Sequence, residues 1–213
     1  MNQNTTRLLS DILRNIANTP HIRPEEVPDI DLYMDQVTTF MDDHLAKTRR
    51  HEEDKILTKT MINNYTKKKL LPHPVKKRYS KEHLLLLIFI YYLKDFLPLT
   101  DIQTILTPIM DRFFQREDSQ AESSVSIEDI YAEAYELSEE WVNTICREIM
   151  ESWHAASNSF DDYPGEDRET LQIFSFICML SFDIYMKKQV IEQMIDGLAG
   201  NESSEETSPS VEQ

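Results

Sequence analysis

The spacing of apolar residues predicts helices along most of the chain. Apolar positions recur every three or four residues in residues 1–20, in residues 29–48 and in two long stretches, about 126–157 and 167–198. Residues 84–93, LLLLIFIYYL, are apolar on every side, which indicates a central helix that other elements cover all round. Strand patterns are almost absent. The sequence therefore predicts an all-α fold.

Polar residues mark where several of these helices begin. Thr58 precedes a short helix, Ser80 precedes the apolar helix and Ser126 precedes the first long helix, each in the position of an N-cap. Thr100 and Gln103 have the spacing of a capping box for a further helix. Each of these residues predicts a helix boundary.

The short helix after Thr58 should cover about residues 59–68. Met61, Ile62 and Tyr65 give it one apolar side, and its polar residues, including Thr66, are expected to face elsewhere. The stretch LLPHPVKKRY follows, and its two prolines exclude a continuous helix. A turn or a very short hairpin is predicted there.

Charge is distributed unevenly along the chain. The formal net charge is -16, yet residues 47–83 hold 12 lysines and arginines against 4 acidic residues, whereas residues 95–213 hold 6 against 26. Clustered cations attract polyanions whatever the sign of the whole chain. A solvated basic face is the plainer alternative. The cluster favours a surface for a polyanion, and double-stranded DNA is the predicted partner.

The basic stretch supplies two kinds of candidate contact to DNA. Lysine and arginine side chains suit phosphates, and asparagine suits the edge of adenine, although asparagines on a helix can also be plain surface. Tyr79 has two readings, because its hydroxyl could donate to a phosphate or its ring could anchor the turn. The predicted DNA-binding residues are Lys59, Thr60, Asn63, Asn64, Lys67, Lys68, Lys76, Lys77, Arg78 and Tyr79.

The order of these segments resembles the winged helix-turn-helix of MerR-type transcription regulators. MINNYTKKKLLP occupies the place of the recognition helix and its exit, VKKRYS that of the wing, and LTDIQTIL that of the next helix. Residues of about 25–110 are also similar to a bacterial family, domain of unknown function DUF1836, through DLYMDQVTTFM, LTKTMINNYTKKKLLP and RYSKEHLLLLIFIYYLK. The MerR-like resemblance implies DNA binding in transcription regulation.

The chain departs from the MerR-type pattern at two places. Lys69 stands where that pattern has the glycine of a left-handed exit turn, so the resemblance alone does not establish such a turn here. Asn63 and Asn64 replace an Arg-Tyr pair. Base preference therefore does not carry over to this chain.

Other chemistry finds little support in the sequence. Only 3 glycines argue against phosphate-binding loops, and His44 and His51 lie among acidic residues at spacings that match no tight metal site. Cys146 and Cys178 have no CxxC partner and are expected to be small buried residues in a reducing compartment. The sequence predicts no enzyme, metal or cofactor.

The predicted location is the cytoplasm, without a membrane span. The first residues lack the apolar segment of a signal peptide, and the longest apolar run, Leu84 to Leu93, is too short to cross a bilayer.

The two long helices carry an aromatic and methionine-rich face. Plain core, a pocket for a small apolar effector and the seam of a homodimer are all compatible with it. Its members are Trp141, Trp153, Phe174, Phe176, Met179, Phe182, Tyr185 and Met186.

These observations predict four segments and one function. Residues 1–24 form an N-terminal helix, 25–110 a MerR-like winged helix-turn-helix domain, 117–198 a helical dimerisation or sensing domain, and 199–213 a disordered acidic tail. The chain is expected to be a homodimeric DNA-binding transcriptional regulator. The alternative is a protein-interaction module that keeps this fold without DNA binding and uses the basic patch on an acidic partner.

Overall fold

The structure, a computed structural model, describes residues 3–17, 21–114 and 125–205. In these ranges it contains seven α-helices and one two-stranded sheet, which confirms the prediction of an all-α fold. The helices are α1 (Gln3–Ala17), α2 (Met34–Leu45), α3 (Lys59–Lys67), α4 (Lys81–Leu93), α5 (Leu99–Phe113), α6 (Ile127–Ser157) and α7 (Gly165–Glu205). The strands are β1 (Leu32–Tyr33) and β2 (Arg78–Tyr79), which pair antiparallel.

The chain forms two compact units that do not follow its order. One, here called the helical unit, contains Met1–Thr19 and Glu136–Val190, and the other, here called the main unit, contains Pro20–Tyr135 and Ile191–Gln213. The long helices α6 and α7 each have a segment in both units. The N-terminal helix, predicted as a segment of its own, thus shares a unit with the C-terminal helices.

Helix α4 forms the centre of the main unit. Its residues from Leu84 to Ile88 and Ile90 are completely buried, as predicted for a helix that is apolar on every side. Val37 and Met41 of α2, Ile62 of α3 and Ile102 of α5 belong to the same core. Full burial of such a side chain stabilises the fold by about 1.5–3 kcal/mol. This core fixes α3 and β2, the elements that carry the basic residues.

The helical unit has a smaller core. Leu9 and Leu13 of α1 are buried together with Trp153 of α6 and Phe176 of α7, and the two aromatic rings meet edge to face with centroids 5.0 Å apart. The side-chain amide of Gln172 donates to carbonyl oxygens at the end of α6, including that of Ser157 at 2.7 Å. These contacts hold α6 and α7 together as a helical hairpin.

Three of the four predicted helix starts are confirmed. The Thr58 hydroxyl accepts a hydrogen bond from the Met61 amide at 3.2 Å. Ser80 forms a capping box with His83, the third residue of α4. Ser126 exchanges hydrogen bonds with Asp129. The predicted box at Thr100 is wrong. Helix α5 begins at Leu99 with Pro98 as N-cap, because that proline already has the extended backbone, φ -60° and ψ 150°, that precedes a helix.

The structure corrects some further expectations. Thr66 is buried, and its hydroxyl donates to the Ile62 carbonyl, because that side of α3 turns toward the core. Cys178 is exposed and Cys146 is half-buried, so neither is the buried residue expected.

Helix α7 continues to Glu205, beyond its predicted end at 198. The linker predicted at 117–124 and the tail from 206 lie outside the described residues.

One described helix has the length and composition of a membrane span. It covers Asp167–Ala199 with a mean hydropathy of 1.2 in its most apolar window, of which 11% is buried. Polar residues such as Gln172, Ser175 and Ser181 interrupt its apolar residues, so no continuous apolar run marks this stretch in the sequence.

Candidate nucleic-acid interface

Helix α3 presents a polar side to solvent and an apolar side to the core. Ile62 and Tyr65 are buried, whereas Thr60, Asn63 and Asn64 are exposed. Side chains four residues apart lie on the same side of a helix, so Lys59 and Lys67 flank Asn63 along the exposed surface. The predicted base-contacting and phosphate-contacting residues of this helix are therefore together on one accessible side.

The exit from α3 is a left-handed turn built on a lysine. Lys69 has a φ of 58°, its amide donates to the Thr66 carbonyl at 3.1 Å, and the Leu70 amide donates to the Tyr65 carbonyl at 2.8 Å. This pair of hydrogen bonds is the Schellman motif, which usually has glycine at the left-handed position. The left-handed exit turn that the sequence left open is therefore present, with lysine in the place of glycine.

A second left-handed segment forms the basic turn, residues Val75–Arg78. Lys76 and Lys77 have φ values of 50° and 65°, and the Arg78 amide donates to the Val75 carbonyl at 2.9 Å. Positive φ at both central residues defines a type I′ turn, in which asparagine and glycine are the favoured residues. Both lysines are exposed at its tip.

Lysine is an unfavourable residue at these three positions. A left-handed backbone costs a residue with a Cβ atom about 1 kcal/mol relative to glycine. In the described part of the chain, the non-glycine residues with positive φ are Lys69, Lys76, Lys77 and Phe160. Three of these four are lysines, one at the exit of α3 and two in the basic turn. At each of these three positions, a strained left-handed backbone therefore coincides with a positively charged side chain.

The start of α2 brings the N-terminus of α3 close to the basic turn. Asp35 forms an ion pair with Lys59, and the ring of Tyr33, two residues earlier, lies under the Arg78 guanidinium, whose central carbon is 5.5 Å from the ring centroid. Strand β1, which contains Tyr33, also pairs with β2, so that Tyr33 stands opposite Arg78. The two basic segments are therefore neighbours at one site.

Tyr79 anchors the basic turn to the core. The residue is buried, its ring meets that of His83 edge to face at 5.5 Å, and burial raises the pKa of its hydroxyl. Of the two readings of this residue, the structure supports the anchor rather than the phosphate contact, since a buried ring is not available to a ligand.

His83 lies directly beneath this anchor. Its Nδ1 accepts from the Ser80 amide at 3.1 Å, which makes it the third residue of the capping box of α4, and its ring also packs edge to face on Phe114 at 4.9 Å. Burial lowers the pKa of His83 from 6.5 to about 4, and the nearby carbonyl groups of His73 and Pro72 only partly oppose that shift. The imidazole is neutral at pH 7.

The basic side chains are accessible. In the described ranges, no carboxylate lies within ion-pair distance of Lys67, Lys68, Lys76, Lys77 or Arg78, although Lys59 is paired with Asp35. These five side chains and that of Lys59 are all exposed. Within the main unit, the positive charge of this site therefore faces solvent.

The small apolar effector was predicted at the aromatic face of the long helices, and none of those aromatic residues lines the depression found on α1. This depression, of about 470 Å³, is lined by polar and charged side chains, among them Thr6, Arg7 and Ser10. This lining does not suit an apolar ligand.

The site lies inside a recognised family segment. The family model for domain of unknown function DUF1836 matches residues 22–134, which is more than half of the chain, and the chain belongs to this family. The match contains α2 to α5, both strands and the basic turn. Searches of curated proteins and of solved structures give no significant match.

Proposed function

We propose that the chain is a DNA-binding transcriptional regulator of the cytoplasm whose α3, β2 and basic turn act as a MerR-like winged helix-turn-helix. The observation that carries the proposal is the exposed and largely unpaired basic site around α3 and the basic turn, on a chain that is otherwise strongly acidic.

Each part of this site has a role in the proposal. Asn63 and Asn64, on the open side of α3, read base edges in the major groove, and Thr60 lies on the exposed side with them. Lys67 and Lys68 neutralise phosphates at the end of the helix. The lysines of the basic turn reach the backbone beside the groove, as a wing does.

The three left-handed lysines support a polyanion as partner. If the turns served only to connect secondary structure, glycine or asparagine would form them without strain. Lysine at the tip of a type I′ turn adds positive charge where a neighbouring phosphate can reach it. An acidic protein could bind to the same positive charge, and a titration with DNA distinguishes the two kinds of partner.

The proposal is tested by titrating the purified full chain with fluorescent random-sequence duplex DNA at several salt concentrations. The log of the association constant should fall by about 0.9 per contacted phosphate for each tenfold rise in salt, so five or six contacts give a slope between about -4 and -6. Absence of binding at ~50 mM salt, where non-specific contacts to phosphate are already strong, would favour the protein-interaction module instead.

A further inference from the structure

Helix α1 covers one end of the hairpin that α6 and α7 form in the helical unit. Leu13 of α1 is buried together with Trp153 of α6 and Phe176 of α7. The hydroxyl of Thr5, near the start of α1, donates to a carboxylate oxygen of Glu169 at 2.6 Å. Helix α1 therefore lies where α6 ends and α7 begins.

On α6, the row of core residues continues away from α1 and loses its cover. Ile149, Ile145 and Trp141 precede Trp153 at intervals of four residues, so neighbouring members of the row lie one above the other on the helix. Trp153 is 4% exposed, whereas Ile145 is 38% and Trp141 57% exposed. Exposure thus rises along the row with distance from the residues that α1 contacts.

The row on α7 shows the same change. Val190 lies close to four turns after Phe176, and Met186 lies one turn before Val190. Phe176 is 7% exposed, whereas Met186 is 48% and Val190 57% exposed. Since α6 and α7 are neighbours in the hairpin, the two rows border one groove, here called the open groove, formed by Trp141, Ile145, Met179, Met186 and Val190.

The charge around the open groove is negative. Lys187 of α7 lies 2.8 Å from Asp183 and 4.0 Å from Glu148 of α6, so two carboxylates balance its charge. Both carboxylates are about half exposed. From 136 to 151, α6 carries one basic residue, Arg147, against acidic residues at 136, 139, 140, 148 and 151. Such surroundings attract cations and repel acidic side chains.

The remaining segments of this chain do not have the composition to cover an apolar groove. Residues 115–124, QREDSQAESS, and 206–213, ETSPSVEQ, contain Ala121 and Val211 as their aliphatic residues, and each segment has a net charge of -2. A second copy of the chain would bring the same excess of acid, since residues 136–190 hold 11 acidic against 4 basic residues. The charge therefore favours a different, basic molecule.

We infer that the open groove binds a cationic amphipathic helix of another protein. A helix docks in an apolar groove through side chains at intervals of three or four residues, as α1 does at the other end of the hairpin. The methionines of the groove adapt their shape to such side chains. Lysines or arginines of the partner would lie beside Glu148 and Asp183.

This inference does not rest on the proposed function. The open groove belongs to the helical unit, whereas the basic site belongs to the main unit. Its partner is cationic, and the partner of the basic site is a polyanion. The groove is therefore tested with the full chain in the absence of DNA.

The probe is a synthetic helical peptide of leucine and lysine, about five turns long, with its leucines on one side. Trp141 is exposed and Trp153 is buried, so a blue shift of the tryptophan emission reports the covering of Trp141. The lysine peptide should give a saturable blue shift. The same peptide with glutamate in place of lysine, and a lysine peptide of scrambled sequence, should give none at equal concentration.

Two matched double variants separate the open groove from other exposed apolar residues. Ile145→Gln with Val190→Gln should weaken binding of the lysine peptide about tenfold or more, because truncated anchors account for most of the affinity of an interface. Phe174→Gln with Tyr185→Gln, on the opposite side of α7, should leave binding unchanged. All four side chains are more than a third exposed, so both variants should retain their helical circular dichroism.

Equal binding of the lysine and glutamate peptides would overturn the inference, and so would equal loss in both double variants. A wild-type mass of two chains, with a tryptophan emission already blue-shifted relative to the Ile145→Gln, Val190→Gln variant, would overturn it in favour of a second copy. A blue shift with phosphatidylcholine vesicles but not with the lysine peptide would assign the groove to a bilayer instead. If the groove variant does not fold, the lysine and glutamate peptides on the wild type still decide.

Discussion

Replacing Lys76, Lys77 and Arg78 together by alanine should weaken binding to random-sequence duplex DNA by about a hundredfold at ~0.1 M salt. Each phosphate contact contributes about 0.9 to the slope of log affinity against log salt, so losing three makes the slope shallower by roughly 2 to 3. Alanine retains the Cβ atom, so the left-handed backbone at positions 76 and 77 carries the same strain as in the wild type. The change is therefore one of charge rather than of turn geometry.

A second triple variant controls for the loss of three positive charges. Lys47, Arg50 and Lys55 are exposed in the loop after α2, outside α3 and the basic turn. Their replacement by alanine changes the net charge equally and should leave most of the salt slope in place. Equal loss in both variants would mean that the overall charge of residues 47–83, and not the basic turn, attracts DNA.

Lowering the pH from 6.5 to 4 should destabilise the main unit by about 3 kcal/mol through His83 alone. The pKa of this imidazole is about 4 in the folded protein, against 6.5 when it is unfolded, so the unfolded chain binds a proton in this range and the folded chain does not. The contribution is fully present above pH 6.5 and is lost as the pH falls toward 4. Urea unfolding at a series of pH values measures it.

The His83→Gln variant isolates this effect from other titrating groups. Glutamine is a natural third residue of a capping box, so its carbonyl can accept from the Ser80 amide as Nδ1 does, but it cannot be protonated. The variant should show a shallower loss of stability between pH 6.5 and 4, whereas His51→Gln, at an exposed loop position, should follow the wild type. Parallel curves for His83→Gln and wild type would contradict the neutral buried imidazole.

Local signals in the sequence predicted local structure well. The hydroxyls of Thr58 and Ser126 cap the helices that follow them, because an N-cap depends on the residues of a single turn. The apolar run of α4 predicted its central position, since a helix without a polar side has to be covered all round. The basic segment likewise proved exposed, as expected for charges that cannot be buried without partners.

Features decided by tertiary packing were not predictable in the same way. Lys69 left a left-handed turn undecided in the sequence, and the turn lets Leu70 and Leu71 reach the core, where each is 1% exposed. Burying two leucines gains more, at about 1.5–3 kcal/mol each, than the strain of about 1 kcal/mol costs. The pattern of α1 predicted an apolar side but could not show that Leu9 and Leu13 cover Trp153, more than a hundred residues away.

The aromatic residues that were predicted to form one face of the long helices divide into buried and exposed residues in the structure. Trp153 and Phe176 are core, whereas Trp141, Phe174 and Phe182 are exposed. An apolar pattern shows that a helix face needs cover, but it cannot show whether the same chain or another molecule provides it. That distinction depends on how much surface α1 and α6 can offer to α7.

The measurement that tests DNA binding by this site most directly is a lysine footprint. The full chain is acetylated briefly with a water-soluble reagent, with and without duplex DNA, and mass spectrometry gives the rate at each lysine. DNA should slow acetylation of Lys67, Lys68, Lys76 and Lys77, and should leave Lys187 of α7 unchanged. Equal rates with and without DNA at these four lysines, under conditions where DNA is bound, would contradict the account and place the DNA elsewhere on the chain.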